Sequence, residues 1–152
     1  MHLRPARDDE SALLSDLALR SKGHWGYDAE FLEQCREELT LTPELLTEER
    51  AQVAEHQGQI VGFYTLAGRP PEGQLGHMFV EPDQVNQGIG RQLWDHAIDT
   101  AARVGIRRIL IEADPYAEAF YEAMGAIRVG EVPSGSIPGR ELPLLAYYLS
   151  EQ

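Results

Sequence analysis

Apolar positions along the chain follow two periods. Ile89, Leu93, Ala97, Ile98, Ala101 and Val104 recur at the spacing of one helix face and predict a helix from Ile89 to Val104. Gly105 follows as a left-handed cap. Leu13, Leu14, Leu17 and Ala18 show the same period behind Asp8 or Asp9, either of which reads as an N-cap. Phe31, Leu32, Cys35 and Leu39 repeat it behind Asp28. Thr42-Pro43 opens a further helical turn, with proline at the favoured first position. Shorter apolar runs read as strands: Leu3 to Ala6, Ala51 to His56, Gln59 to Leu66, Gln74 to Val80, Arg108 to Ala113, Ala126 to Val132 and Glu141 to Leu149. Gln57-Gly58 turns a hairpin, and Gly68 to Gly73 reads as a loop. A short helix spans Ala117 to Met124 and stops at Gly125. There is no repeat, low-complexity tract or linker. One α/β domain over residues 1–152 is expected, with a mixed, mostly antiparallel central sheet flanked by helices.

Composition narrows the class. A chain of 152 residues that is 43% hydrophobic has enough apolar surface for its own core. No apolar run approaches a membrane span. Met1-His-Leu-Arg-Pro lacks the apolar core of a signal peptide, and a single cysteine permits no internal disulfide, so a cytoplasmic location is expected. The histidines (His2, His24, His56, His77, His96) are scattered and no Cys/His cluster has ligand spacing, so no metal is expected. A net charge of −12 disfavours nucleic acid, whose binding rests on Lys and Arg contacts to phosphate. Glu37, Glu38, Glu44, Glu48 and Glu49 form an acidic stretch, read either as solvated surface or as a field that steers a cationic amine.

Chemistry concentrates between Met78 and Arg91. A strand ends, Pro82 opens a turn, and Gln87-Gly-Ile-Gly-Arg91 leads into the long helix. Gly88 and Gly90 let the backbone take positive φ or approach a ligand closely. The helix start offers unpaired N–H groups and the positive end of its dipole, a cradle for phosphate. No Lys-Ser/Thr pair follows Gly90, which excludes a P-loop. Leu93 stands where a dinucleotide fingerprint needs its third Gly or Ala.

Val80-x-Pro82, Gln87-Gly-Ile-Gly-Arg91 and Ala117-x-x-Phe-Tyr-Glu-x-Met-Gly125, in this order and spacing, resemble the central and C-terminal motifs of the GNAT superfamily of acyl-CoA-dependent N-acyltransferases. The resemblance covers nearly the whole chain. It implies the GNAT fold, with two adjacent parallel strands that splay apart, here those ending at Val80 and Ala113. It implies acetyl-CoA as cofactor, held by Val80, Val85, Asn86, Gln87, Gly88, Ile89, Gly90, Arg91, Asp114 and Phe120. Val85 stands at the family's Gln/Arg position, Asn86 at its optional glycine and Asp114 at its usual asparagine. Val85 removes a side-chain contact and leaves the main-chain donors. Asp114 either repels a phosphate or caps the short helix.

The implied reaction is direct attack of an amine on the thioester. Tyr121 matches the family's usual general acid, and Tyr116 is a weaker alternative. An alkyl ammonium of pKa about 10.4 needs a base. Glu81 at the strand end and His77 within the strand are the candidates. His77 alternates with Leu75 and Phe79, so a buried structural role stands beside the catalytic one. Cys35 has no neighbouring base and falls on an apolar face, which reads as packing. His24, Trp25 and Tyr27 read either as an acceptor wall, whose rings hold an ammonium by cation–π contact, or as a helix–helix turn anchored in the core. Arg140 ends a long connection, Val132 to Arg140, and is a candidate for a substrate carboxylate. The partner expected is a small-molecule amine. A non-catalytic acyl-CoA-binding domain and acetylation of a protein amine are the alternatives, and a homodimer is compatible with the last strand and its long loop.

Overall fold

The computed structural model describes residues 1–85 and 87–150. Asn86, assigned above to the cofactor loop, lies outside the described residues. The strands are β1 (His2–Pro5), β2 (Gln52–His56), β3 (Gln59–Arg69), β4 (Glu72–Val80), β5 (Arg108–Glu112), β6 (Ile127–Pro133) and β7 (Glu141–Tyr148). The helices are α1 (Ser11–Gly23), α2 (Ala29–Leu39), α3 (Pro43–Glu48), α4 (Ile89–Val104) and α5 (Glu118–Ala123). The sheet order is β1-β2-β3-β4-β5-β7-β6. Among the described residues only β4 and β5 pair in parallel.

Each face of the sheet carries its own core. Leu14, Leu17 and Ala18 of α1, Cys35 and Leu39 of α2, and Leu46 of α3 cover Val53 and Phe63. Leu93, Trp94, Ala97 and Ala101 of α4, with Tyr121 of α5, cover Tyr64, Leu66, Leu75, Ile109, Ile111 and Leu145. Each such leucine or isoleucine contributes about 1.5–3 kcal/mol of apolar burial. Two positions on the expected faces, Leu13 and Val104, are exposed instead.

Local chemistry sets the ends. Asp28 Oδ1 accepts from the Phe31 N–H at 2.8 Å, and Thr42 Oγ1 from the Leu45 N–H at 3.2 Å. Gly105 takes φ +91° and ends α4. Asp8 and Asp9 do not cap α1. They lie in a single 3-10 turn, and Glu10 is the residue that ties this corner, accepting from the Arg7 N–H at 2.8 Å. The expected loop at Gly68–Gly73 is a tight hairpin. β3 and β4 stay paired to Arg69↔Glu72, leaving Pro70-Pro71 as the turn.

One irregularity shapes the centre. Thr65 pairs with His77 and Leu66 with Leu75, so Gly76 is an extra residue on β4. A side chain there would meet the Glu49 carboxylate at 2.8 Å and the Thr65 hydroxyl at 2.9 Å. The bulge breaks the alternation expected through Leu75, His77 and Phe79. Leu75 packs under α4, while His77 and Phe79 turn to the α1–α2 face. Parallel pairing of β4 and β5 stops at Gln74↔Leu110, two residues before the bulge.

Candidate active site

Beyond Gln74 and Leu110 the two parallel strands diverge, and a cleft of about 590 Å³ opens between them. It is lined by β4 from Leu75 to Val80, by Ile111 to Asp114 at the end of β5, by the start of α4, by α5, and by parts of α1, α2 and the 134–140 loop. The main chain of β4 in this stretch keeps its partner β3 on one side and has no strand on the other. The cleft passes from the α4–α5 face to the α1–α2 face, so it has two halves of different chemistry.

The α4–α5 half fits an anion. Gly88 takes φ +78° as the N-cap of α4. The first intrahelical bond runs from the Gln92 N–H to the Gly88 carbonyl at 3.2 Å, which leaves the N–H groups of Ile89, Gly90 and Arg91 without helical acceptors. Gly90 also has a packing role that the sequence did not show: a Cβ there would stand a tight 3.2 Å from the Phe120 ring. Phe120 thus fixes α5 against the α4 start. Val80, Val85, Gly88, Ile89, Gly90, Arg91, Asp114 and Phe120 all line the cleft, and Gln87 is exposed beside it.

Tyr121 sits where the halves meet. Its ring packs on Trp94 and Phe120, with centroids at 6.0 and 5.3 Å, and only 7% of the residue is exposed. Among the described residues its hydroxyl has no hydrogen-bond partner, yet no buried side-chain polar atom is left unsatisfied. The hydroxyl therefore opens into the cleft that Tyr121 lines. Burial first, and the nearby Asp114 charge second, hold its pKa well above the ordinary phenol value. Tyr116 is over half exposed and stacks on Trp25 at 5.5 Å, at the mouth rather than at the junction.

The α1–α2 half is polar and carries both signs. His77 lines it, with Nδ1 2.9 Å from Thr65 Oγ1. Burial lowers the His77 pKa, while Glu49 and Glu38 pull it part of the way back. The imidazole is thus neutral near pH 7. Glu81 does not line this cleft. Its carboxylate is held by the Arg20 guanidinium and faces a separate groove with Arg4 and Gln84. The chain turns at Glu81 into a 3-10 turn, which carries the side chain away from the cleft.

Opposite His77, Asp114 gathers a cluster. Its carboxylate accepts from the Lys22 ammonium at 3.2 Å, the Tyr27 hydroxyl at 3.1 Å and the Tyr116 N–H at 2.9 Å. Arg140 donates to the Tyr27 hydroxyl at 2.6 Å and stands 3.7 Å from Asp114. Asp114 thus closes the turn into α5 rather than capping it, the N-cap being Ala117. Desolvation and the Asp114 charge push the Tyr27 phenol up to about 12. His24 and Trp25 line the cleft. The Tyr27 ring is already engaged: it faces Lys22 at 5.6 Å and Arg140 at 5.2 Å and stacks on Phe31 at 4.1 Å. Lys22 was not singled out by sequence and Glu38 only as part of the acidic stretch, because their partners lie 92 and 98 residues away.

A family model described as an acetyltransferase (GNAT) domain matches residues 10–134. The chain belongs to the GNAT acetyltransferase family. It is similar to a 5-NmdU N-acetyltransferase of Pseudomonas phage PaMx11, 32% identical over 85 residues, which are 55% of this chain and 61% of that protein. It is also similar to the peptidyl-lysine N-acetyltransferase YjaB of Salmonella typhimurium, 33% identical over 89 residues, or 59% of this chain and 57% of that one. The chain thus spans less than two thirds of the length of either relative. A solved structure of PaiA N-acetyltransferase from Thermoplasma acidophilum, in complex with coenzyme A, matches in fold with a TM-score of 0.80. The match covers 97% of this chain and 98% of that chain at 16% identity.

Proposed function

We propose that the protein acetylates the amine of a small molecule, using acetyl-CoA and no covalent enzyme intermediate. The observation that carries this reading is the Tyr121 hydroxyl: on a residue only 7% exposed, without a hydrogen-bond partner among the described residues, it opens where the anion-binding half of the cleft meets the polar half. A domain that only binds acyl-CoA has no use for it.

The residues fit the cofactor. The N–H groups of Ile89, Gly90 and Arg91 suit a pyrophosphate, the unpaired edge of β4 up to Val80 suits an amide-bearing arm, and the Arg91 guanidinium adds a charge-assisted contact. Bound acetyl-CoA supplies an activated acetyl thioester, whose transfer forms the amide C–N bond, breaks the C–S bond, and leaves a thiolate and a surplus proton. Tyr121 donates its hydroxyl proton to the thiolate. His77, neutral and flanked by Glu38 and Glu49, accepts the amine proton through the polar half. Cys35 is buried and takes no part. The 134–140 loop covers the acceptor side through the Ser136–Glu38 hydrogen bond and Ile137 packing, which favours a small acceptor over a protein segment. The reading includes a cytoplasmic location, in keeping with the one free thiol. It also includes a homodimer, for which exposed Ile127, Val129 and Tyr148 near the β6 edge supply apolar surface.

Calorimetric titration with CoA and acetyl-CoA tests the reading, followed by a screen of amines for CoA release. Micromolar binding and amine-dependent release are expected. Absence of binding at millimolar cofactor refutes it.

A further inference from the structure

Two cations and one carboxylate stand together on the acceptor half of the cleft. Lys22 and Arg140 both line it, with side chains only 15% and 19% exposed. Both lean on Asp114. Two other acids line the cleft: Glu112 accepts from Gln74 at 2.8 Å and Glu38 from Ser136, and among the described residues neither is paired with Lys22 or Arg140. Within the contact cluster itself two cations share one carboxylate, so the cluster carries one positive charge in excess. A half-buried charge without a counter-ion is costly, and its persistence at a cleft wall marks a place where a ligand supplies the missing anion.

The donors are also incomplete. Arg140 uses Nη2 for the Tyr27 hydroxyl, and among the described residues no acceptor bonds its Nη1 or Nε. Its guanidinium carbon lies 4.8 Å from the Phe31 ring centroid and 5.2 Å from that of Tyr27, so the group is positioned before any ligand arrives. The Tyr27 hydroxyl is pinned between Asp114 and Arg140 and adds rigidity. Across the cleft, His77 has Glu38 and Glu49 beside it, so the field there favours an ammonium. The walls have opposite sign, and a zwitterion matches both.

We propose that the acceptor is an amino acid or a close analogue, its carboxylate docked between Lys22 and the free donors of Arg140, its amine turned toward His77. This rests on the acetyl-transfer reading of the same cleft and adds the substrate class. Lys22 and Arg140 act as substrate-positioning residues. A carboxylate takes one charge-assisted N–H bond from the free donors of Arg140 and another from Lys22, which an amide cannot repeat with equal strength.

The test uses the common L-amino acids, each paired with its C-terminal amide, as acceptors with acetyl-CoA. The best carboxylate is expected to exceed its amide at least about 10-fold in kcat/KM, from the gain of a charge-assisted pair over a neutral hydrogen bond. In Arg140→Gln and Lys22→Gln this ratio is expected to fall several-fold, mainly through KM, with Arg140→Lys recovering part of it. CoA binding by the variants certifies their fold. The same pairs are titrated into the protein saturated with CoA, which reads the subsite without turnover. Turnover of amines with no preference for the carboxylate overturns the subsite and leaves acetyl transfer standing. A preference that survives both variants, or no pair in which the carboxylate binds better than its amide, also overturns it. Absence of CoA binding by the wild-type protein instead removes the underlying reading.

Discussion

Replacing Tyr121 with phenylalanine separates chemistry from packing. The ring is buried against Trp94 and Phe120, and phenylalanine keeps those contacts. The deleted hydroxyl has no hydrogen-bond partner among the described residues, so no donor or acceptor is orphaned. Stability is expected to change by less than about 0.5 kcal/mol, which is roughly 2 °C in Tm for a domain of this size. Turnover should change far more. A phenol of ordinary pKa about 10 gives its proton to a thiolate of about 8.5 with an uphill step near 2 kcal/mol. Burial raises the Tyr121 pKa further, but it raises that of a thiolate in the same cleft too, so the step stays passable. Loss of a positioned acid then lowers kcat by about 10²–10³-fold. The raised pKa also keeps the phenol protonated, so no basic decline in kcat from Tyr121 is expected below about pH 10. CoA thiol release reads turnover, and calorimetry with CoA reads binding. A Tyr121→Phe protein that turns over within about threefold of wild type refutes the assignment, as does a loss of activity matched by a loss of folding.

Two further outcomes follow from charged groups. Glu10 is 7% exposed at its side chain and takes two hydrogen bonds from Arg4, at 2.8 and 3.0 Å, which hold its pKa down to about 2. A depressed carboxylate stabilises the fold above its unfolded value of 4.5 and loses that contribution as pH falls toward 2. Glu10→Gln is therefore expected to cost about 2 kcal/mol at pH 7, below the full linkage value because Arg4 keeps Glu55, and almost nothing near pH 2; denaturant melts at several pH values check this. His77 has a lowered pKa, so its neutral form is favoured in the native state, and both stability and kcat/KM should fall as pH drops below the ordinary histidine value near 6.5. His77→Gln should remove that acid limb from the kcat/KM profile, and an unchanged limb means another group takes the amine proton.

Local rules were legible in the chain and tertiary ones were not. The 3.6-residue spacing from Ile89, closed by Gly105, delivered α4 at its observed ends, since one buried face and one left-handed cap decide a helix locally. The caps at Asp28 and Thr42 and the Gln57-Gly58 turn were readable for the same reason. The Gly88 cradle was readable because it is a backbone property of consecutive residues. By contrast, the bulge at Gly76 turns on Thr65 and Glu49, residues far along the chain, and it alone moved His77 off the face that its spacing with Leu75 implied. Glu81 looked like a base at a strand end until Arg20 of α1 was brought to it. The clamp of Lys22, Tyr27, Asp114 and Arg140 joins four segments, each unremarkable alone. The sequence by itself determined the elements, the anion cradle and the family motifs, because these depend on neighbours within a few residues. Only the tertiary structure decided which charges face the cleft, because that depends on side chains brought together by packing the two layers across the sheet.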